Sequence, residues 1–75
     1  MLIRNLSDID VGEKVTIAEV NAQKSLKRRL LDLGFIKGNR VCCVGKSALG
    51  DPKAYDIDGT VIAIRKNDAK NITVQ

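Results

Sequence analysis

The chain has 75 residues, of which 44% are apolar and 29% are charged, so we expect residues 1–75 to form a single small domain. Thirteen Lys and Arg side chains outnumber nine Asp and Glu side chains, which gives a net charge of +4. Histidine and tryptophan are absent, and Phe and Tyr occur once each. The lack of imidazole argues against an enzyme, and two aromatic side chains cannot build the stacking platform of a single-strand reader.

The sequence carries no pattern of a signal peptide, a lipidation site or a membrane-spanning helix. Its two cysteines, Cys42 and Cys43, are adjacent. Neighbouring Cα atoms lie ~3.8 Å apart across a trans peptide, which is shorter than the usual span of a disulfide. Free thiols are typical of a reducing compartment, so we expect a cytoplasmic protein without direct membrane insertion.

Short β-branched runs predict most of the secondary structure. They indicate strands over residues 13–20, 40–44, 53–57, 60–65 and 72–74. The dipeptide Asp58-Gly59 predicts a hairpin between the third and fourth of these strands, and residues 66–70 predict one irregular or 3₁₀ turn. Five short strands with one helix after the first predict an all-β fold, a small five-stranded closed barrel with one inserted α-helix.

The inserted helix is predicted over residues 23–33, because apolar residues recur there at helical spacing. On a helical wheel Leu26, Leu30 and Leu33 share one face, which we expect to pack on the core. Asn21 or Ser25 is the expected N-cap residue.

The predicted end of this helix is a Schellman motif. Gly34 is expected to take the left-handed conformation after the last helical residue, and Phe35 to pack on Leu30.

Basic residues concentrate in and around this helix. Residues 22–40 carry six basic side chains and one acidic side chain. Lys24, Lys27 and Arg28 lie on the outer side of the predicted helix together with Leu31. Two interpretations remain open at this stage. Leu31 either widens the core stripe beside a solvated charged face, or it anchors a basic surface suited to an acidic protein partner.

The sequence resembles the ferrous iron transport protein A (FeoA) family. The similarity lies in residues 26–35 (LKRRLLDLGF), Gly38, residues 48–52 (ALGDP), Tyr55, residues 62–66 and residues 68–69. The resemblance implies an SH3-like barrel that serves as a cytoplasmic accessory of the GTP-binding ferrous iron transporter of the inner membrane. The family is also described as transition-metal binding.

The residues themselves offer few metal ligands. In a strand, successive side chains point to opposite faces, so Cys43 is expected to face the core and Cys42 the solvent. Hard carboxylate ligands such as Asp51, Asp56 and Asp58 combine poorly with a soft thiolate in a site that has to bind ferrous iron selectively. We therefore expect no dedicated metal site and no cofactor, and the glycine spacing predicts no nucleotide-binding loop.

The sequence thus predicts a non-enzymatic module of protein–protein contact, whose expected partner is the cytoplasmic part of a ferrous iron transporter. A nucleic-acid-binding small barrel and a stand-alone metal-responsive regulatory domain are the alternatives, although we expect no nucleic acid as partner. The oligomeric state stays open. The expected partner-binding residues lie on the helix and in the turn before the strand 53–57, and they are Lys24, Lys27, Arg28, Leu31, Leu49, Asp51 and Pro52.

Overall fold

The computed structural model describes residues 3–75, which form short strands and two helices. The strands are β1 (Arg4–Asn5), β2 (Lys14–Val20), β3 (Arg40–Lys46), β4 (Lys53–Ile57), β5 (Thr60–Ile64) and β6 (Ile72–Val74). The helices are α1 (Lys24–Asp32) and α2 (Lys66–Ala69), and a 3₁₀ turn spans Leu6–Asp8. The predicted all-β class with one inserted helix is confirmed.

The strands form one antiparallel sheet in the order β1-β6-β2-β3-β4-β5. Strand β2 bends this sheet, because its first half pairs with β3 and its second half pairs with β6. The change of partner coincides with a register shift between Ile17 and Glu19. Such an irregularity increases the local bend and twist of a strand, which curls the sheet into a barrel-like shape around a single core.

The structure differs from the sequence prediction at both ends of the chain. A sixth strand, Arg4–Asn5, pairs with β6, whereas five strands were predicted. Its two residues are polar and half-buried, so the sequence shows no alternation of apolar and polar residues that would predict a strand here. Residues 66–69 form the short helix α2 instead of an irregular or 3₁₀ turn. The strands predicted over 53–57 and 72–74 are confirmed with the same bounds.

The core consists of apolar side chains from every strand after β1, together with the 3₁₀ turn and both helices. Tyr55 and Phe35 are its largest fully buried members. Cys43 is buried and Cys42 is half-buried, as strand alternation predicts, and both are free thiols. The core therefore connects every strand and helix of the fold except β1.

Two side chains of β4 tie this strand to the 3₁₀ turn near the N-terminus. The Lys53 ammonium donates to the carbonyl oxygens of Ser7 at 2.9 Å and Ile9 at 2.8 Å. The Tyr55 hydroxyl donates to the carbonyl of Leu6 at 3.3 Å, and burial raises the pKa of Tyr55 to about 12. These bonds span more than forty residues of sequence and link β4, the neighbour of the last strand in the sheet order, to the turn that follows the first strand.

Helix α1 ends in the predicted Schellman motif. The N–H of Phe35 donates to the carbonyl of Leu30 at 3.0 Å, and the N–H of Gly34 donates to the carbonyl of Leu31 at 3.0 Å. Gly34 has φ +107°, a left-handed conformation that costs a glycine little. Phe35 and Leu30 are both fully buried, so the motif anchors the end of the helix in the core.

The expected core face and N-cap of α1 need correction. Leu26 packs against the core, but Leu33, the C-cap residue, is 38% exposed and does not belong to the core. Neither Asn21 nor Ser25 caps the helix. Gln23 occupies the N-cap position without a side-chain hydrogen bond, so the first turn relies on packing rather than on a capping side chain.

Replacing Phe35 by alanine is expected to destabilise the protein by ~3–5 kcal/mol, because the variant loses buried surface and leaves a cavity. Thermal and urea unfolding monitored by circular dichroism measure the change. Ile36→Ala is the matched control, since Ile36 is the next residue and is half exposed. An unchanged unfolding midpoint in Phe35→Ala would contradict the placement of Phe35 in the core.

Acid sensitivity is expected from the ion pair between Arg4 and Glu13. The Arg4 guanidinium, and secondarily the N–H of Asp10, bind the Glu13 carboxylate and lower its pKa from 4.5 to about 2. A lowered pKa means that the pair stabilises the fold fully above pH 4.5 and loses this effect as the pH falls towards 2. The stability difference between the parent and Glu13→Gln should therefore shrink over this interval.

Urea unfolding at a series of pH values checks this expectation. Glu19→Gln serves as control, because Glu19 is an exposed carboxylate that forms no salt bridge among residues 3–75. A difference between parent and Glu13→Gln that stays constant from pH 6 to about 2 would show that the pair makes no such contribution.

Candidate partner-binding surface

The outward side of α1 carries four of the predicted partner-binding residues. Lys24, Lys27, Arg28 and Leu31 are exposed, and their spacing places them as neighbours on one face of the helix. We call these four residues the basic face of α1. Leu31 is 36% exposed, so part of its side chain is covered by the fold and the rest is open to a partner. The structure thus brings together the four helical residues of the predicted site.

One side of the basic face borders β2. Lys27 and Leu31 line a surface groove with Ala18, Glu19 and Val20 of β2 and with Lys37 from the loop after the helix. This groove combines apolar side chains with two lysines and one carboxylate. Lys37, Glu19 and their neighbours are candidate site residues that the sequence analysis missed, because they become adjacent to Leu31 only when β2 folds against α1.

The other side of the basic face is more polar. Lys24 and Arg28 line a second surface groove with Gln23 and Ser25, all from the first turns of α1. Leu31 lines the first groove, the second groove lies nearer the start of the helix, and both grooves carry positive side chains. An apolar contact flanked by charge is a common arrangement at protein–protein interfaces.

Most of the positive charge on α1 is available to a partner. Arg29 is the exception, since its guanidinium binds the Asp68 carboxylate of α2 at 3.1 Å. Within residues 3–75, Lys24, Lys27 and Arg28 form no salt bridge. Opposite charge on a partner would meet these cations without first displacing an internal ion pair, which favours electrostatic steering of the encounter.

The turn after β3 presents Leu49 at its tip, where the side chain is 96% exposed. The turn is closed by hydrogen bonds from the N–H of Ser47 to the carbonyl of Pro52 at 3.0 Å and from the N–H of Gly50 to the carbonyl of Ser47 at 2.9 Å. The Ser47 hydroxyl also donates to the carbonyl of Asp51 at 2.7 Å. Leu49 is therefore an apolar side chain on a hydrogen-bonded support.

Asp51 links this turn to the start of helix α2. Its carboxylate accepts a hydrogen bond at 2.9 Å from the N–H of Lys66, the first residue of α2. Asp51 also lines a cleft with Lys53, Tyr55, Ile64 and other residues, none of which belongs to α1. The predicted site residues thus fall into two groups, the basic face of α1 and the turn around Leu49, and none of these three surface depressions contains residues of both.

The thiol of Cys42 lies on the outer face of the sheet, beside Lys14 on β2 and Asp56 on β4 in the strand register. In the part of the chain that the structure describes, no group of three or more His, Cys, Asp or Glu residues could hold a metal ion. The same residues include no helix that is long and apolar enough to cross a membrane.

Comparisons with known proteins agree with this architecture. A family model described as "FeoA domain" matches residues 4–75. A Campylobacter jejuni relative named for Fe(2+) transport protein A is 33% identical over 92% of this chain and 93% of its own. The Fe(2+) transport protein A/Fe(2+) transporter FeoB fusion protein of Porphyromonas gingivalis is 30% identical over 93% of this chain, which corresponds to 8% of the fusion protein.

The fold is also similar to that of a solved structure. FeoA of Stenotrophomonas maltophilia, solved in complex with zinc and described as a procaryotic SH3 domain protein, has a TM-score of 0.86 to this chain. The two are 30% identical over 96% of this chain and 89% of that one. The predicted SH3-like architecture is therefore confirmed, and the chain belongs to the FeoA family.

Proposed function

We propose that this FeoA domain is a non-enzymatic accessory of ferrous iron uptake that binds the cytoplasmic part of the GTP-binding ferrous iron transporter. The family match and the Fe(2+) transport name of the Campylobacter relative support a role in this transport. In this proposal the domain works in the cytoplasm and acts through its surface, without a cofactor of its own.

The fusion protein of Porphyromonas gingivalis is the observation that carries the proposal. There, a region similar to this chain shares one polypeptide with the Fe(2+) transporter FeoB. A covalent link keeps two modules at high effective concentration. Where the domain and the transporter are separate polypeptides, contact between their surfaces has to supply the affinity.

The basic face of α1 is the contact that we assign to the transporter. Lys27 and Arg28 attract an acidic surface over several ångströms, and Leu31 supplies apolar area that is removed from water when the partner docks. The groove between Leu31 and β2 gives this contact a concave edge, lined by Val20 and Lys37. Charge brings the partners together, and desolvation of Leu31 holds them.

The turn around Leu49 provides a second contact in this proposal. A nearly fully exposed leucine on a hydrogen-bonded turn gains more from burial by a partner than a side chain that is already half covered. Asp51 and Pro52 contribute by holding the turn, through the bonds to Lys66 and Ser47, and Leu49 makes the apolar contact.

Reversing charge on the basic face should slow association with the transporter. We expect Lys27→Glu combined with Arg28→Glu to lower the association rate by ~10-fold at low salt and to flatten its salt dependence. Biolayer interferometry on the transporter in lipid nanodiscs measures both quantities. The control is Lys46→Glu combined with Lys70→Glu, which changes the net charge equally at exposed positions of β3 and the residue after α2. Equal rates for the two double variants would refute the basic face as the contact.

Truncating Leu31 should mainly accelerate dissociation. We expect Leu31→Ala to raise the dissociation rate by ~10-fold, corresponding to ~1.4 kcal/mol, because anchor side chains act after the encounter. Leu33→Ala is the matched control, since Leu33 is the C-cap residue of the same helix and has almost the same exposure but lies outside the basic face. Thermal unfolding is measured beside binding. If Leu31→Ala loses several kcal/mol of stability while dissociation is unchanged, Leu31 serves the core instead.

A further inference from the structure

Strand β5 has an unoccupied edge. It pairs with β4 on one side and ends the strand order of the sheet. Among residues 3–75, no backbone hydrogen bond reaches its other side. The strand contains no charged residue between Thr60 and Ile64, whereas exposed edges in soluble proteins commonly carry charge or proline against unwanted pairing.

The hairpin turn decides which backbone groups point to this edge. Asp58 and Gly59 have φ +52° and +82°, the conformation of a two-residue type I′ turn. In such a hairpin Ile57 and Thr60 exchange hydrogen bonds, and the pairs then alternate along the ladder. The N–H and carbonyl groups of Val61 and Ala63 therefore point away from β4 and towards the open edge.

We propose that β5 is a self-association site, at which a second copy of this chain adds its own β5 as an antiparallel strand. A two-fold axis passes beside Ile62 in this arrangement. Val61 of each copy lies opposite Ala63 of the other, and the two pairs exchange four backbone hydrogen bonds. The side chains of Val61 and Ala63 meet on the outer face, and the two Ile62 side chains meet on the inner face.

The flanking charges select a second copy as the occupant. The same arrangement brings the turn before β5 of one copy, with Asp58, towards the end of β5 of the other, where Arg65 follows the strand. The acidic turn of each copy thus faces the basic end of its neighbour at both ends of the paired strands. Opposite charges at the two ends favour pairing, and the paired residues 60–64 carry no charge that could repel the second copy.

The expected association is weak and depends on concentration. One five-residue strand on each side buries less surface than a stable interface requires, so four hydrogen bonds and a few apolar contacts support a transient dimer. The site uses no residue of the basic face of α1. If the dimer proves absent, the proposed transporter contact is therefore unaffected, and if that contact proves wrong, the proposed dimer is unaffected.

Sedimentation equilibrium of the full chain from micromolar to millimolar concentration tests the dimer. We expect a concentration-dependent rise towards twice the monomer mass. Ala63→Pro should abolish this rise, because proline removes an N–H that β4 does not use and blocks the edge sterically. Ala63→Ser keeps the N–H and should dimerise like the parent. A chain that stays monomeric at millimolar concentration, or dimerises equally as Ala63→Pro, would overturn the proposal.

Disulfide cross-linking tests the register of the paired strands and does not depend on whether the Ala63→Pro variant folds. In a Cys42→Ser background, Ile62→Cys places two thiols next to the two-fold axis, within the span of a disulfide. Thr60→Cys places the corresponding thiols four residues apart along the strands, about 13 Å, and is the matched control. Mild oxidation should give a covalent dimer of Ile62→Cys and little of Thr60→Cys. Equal yields, or a dimer of Thr60→Cys alone, would refute this pairing.

Discussion

The burial of Phe35 directly after the left-handed Gly34 is the contact that fixes helix α1 on the sheet. A small domain buries a modest fraction of its surface, so its few large core side chains carry much of its stability. Phe35 is held twice, by core packing and by its N–H bond to Leu30. Asn39 adds a third restraint, since its side-chain amide donates to the Gly34 carbonyl at 2.9 Å. With the helix end fixed, the outward direction of Lys27 and Leu31 follows from helical geometry.

Closure of the barrel depends on side chains rather than on a complete ladder. Strands β1 and β5 end the sheet order and do not pair with each other. Lys53 and Tyr55 of β4 instead link this end of the sheet to the N-terminal segment, through bonds to backbone carbonyls of the 3₁₀ turn and the residue after it. A lysine that bonds carbonyls in this way satisfies both partners without a neighbouring strand. The same solution leaves the backbone of β5 unpaired at its outer edge, so the way the barrel closes also creates the surface available to another strand.

Local patterns predicted what depends on local chemistry. Helical spacing and the Gly34-Phe35 stop predicted α1 within one residue at each end, and Asp58-Gly59 predicted the hairpin. The sequence could not predict long-range partners. The roles of Lys53 and Asp51 depend on backbone groups that are distant along the chain, and β1 exists because β6 offers it an edge. Of the candidate site, the helical residues came from periodicity, but the groove with Lys37 and Val20 needed the folded structure.

The two proposed surfaces have different physical characters and lie on different elements. Strand β5 offers backbone groups and small apolar side chains, whereas α1 offers positive charge around one leucine. The proposed pairing through β5 uses no residue of the basic face, so a dimer would carry two copies of that face. When one copy is bound, the second is held at high effective concentration near the same membrane protein, which raises avidity without any new contact. Weak self-association and a salt-sensitive transporter contact would therefore reinforce each other when both partners are concentrated at the membrane.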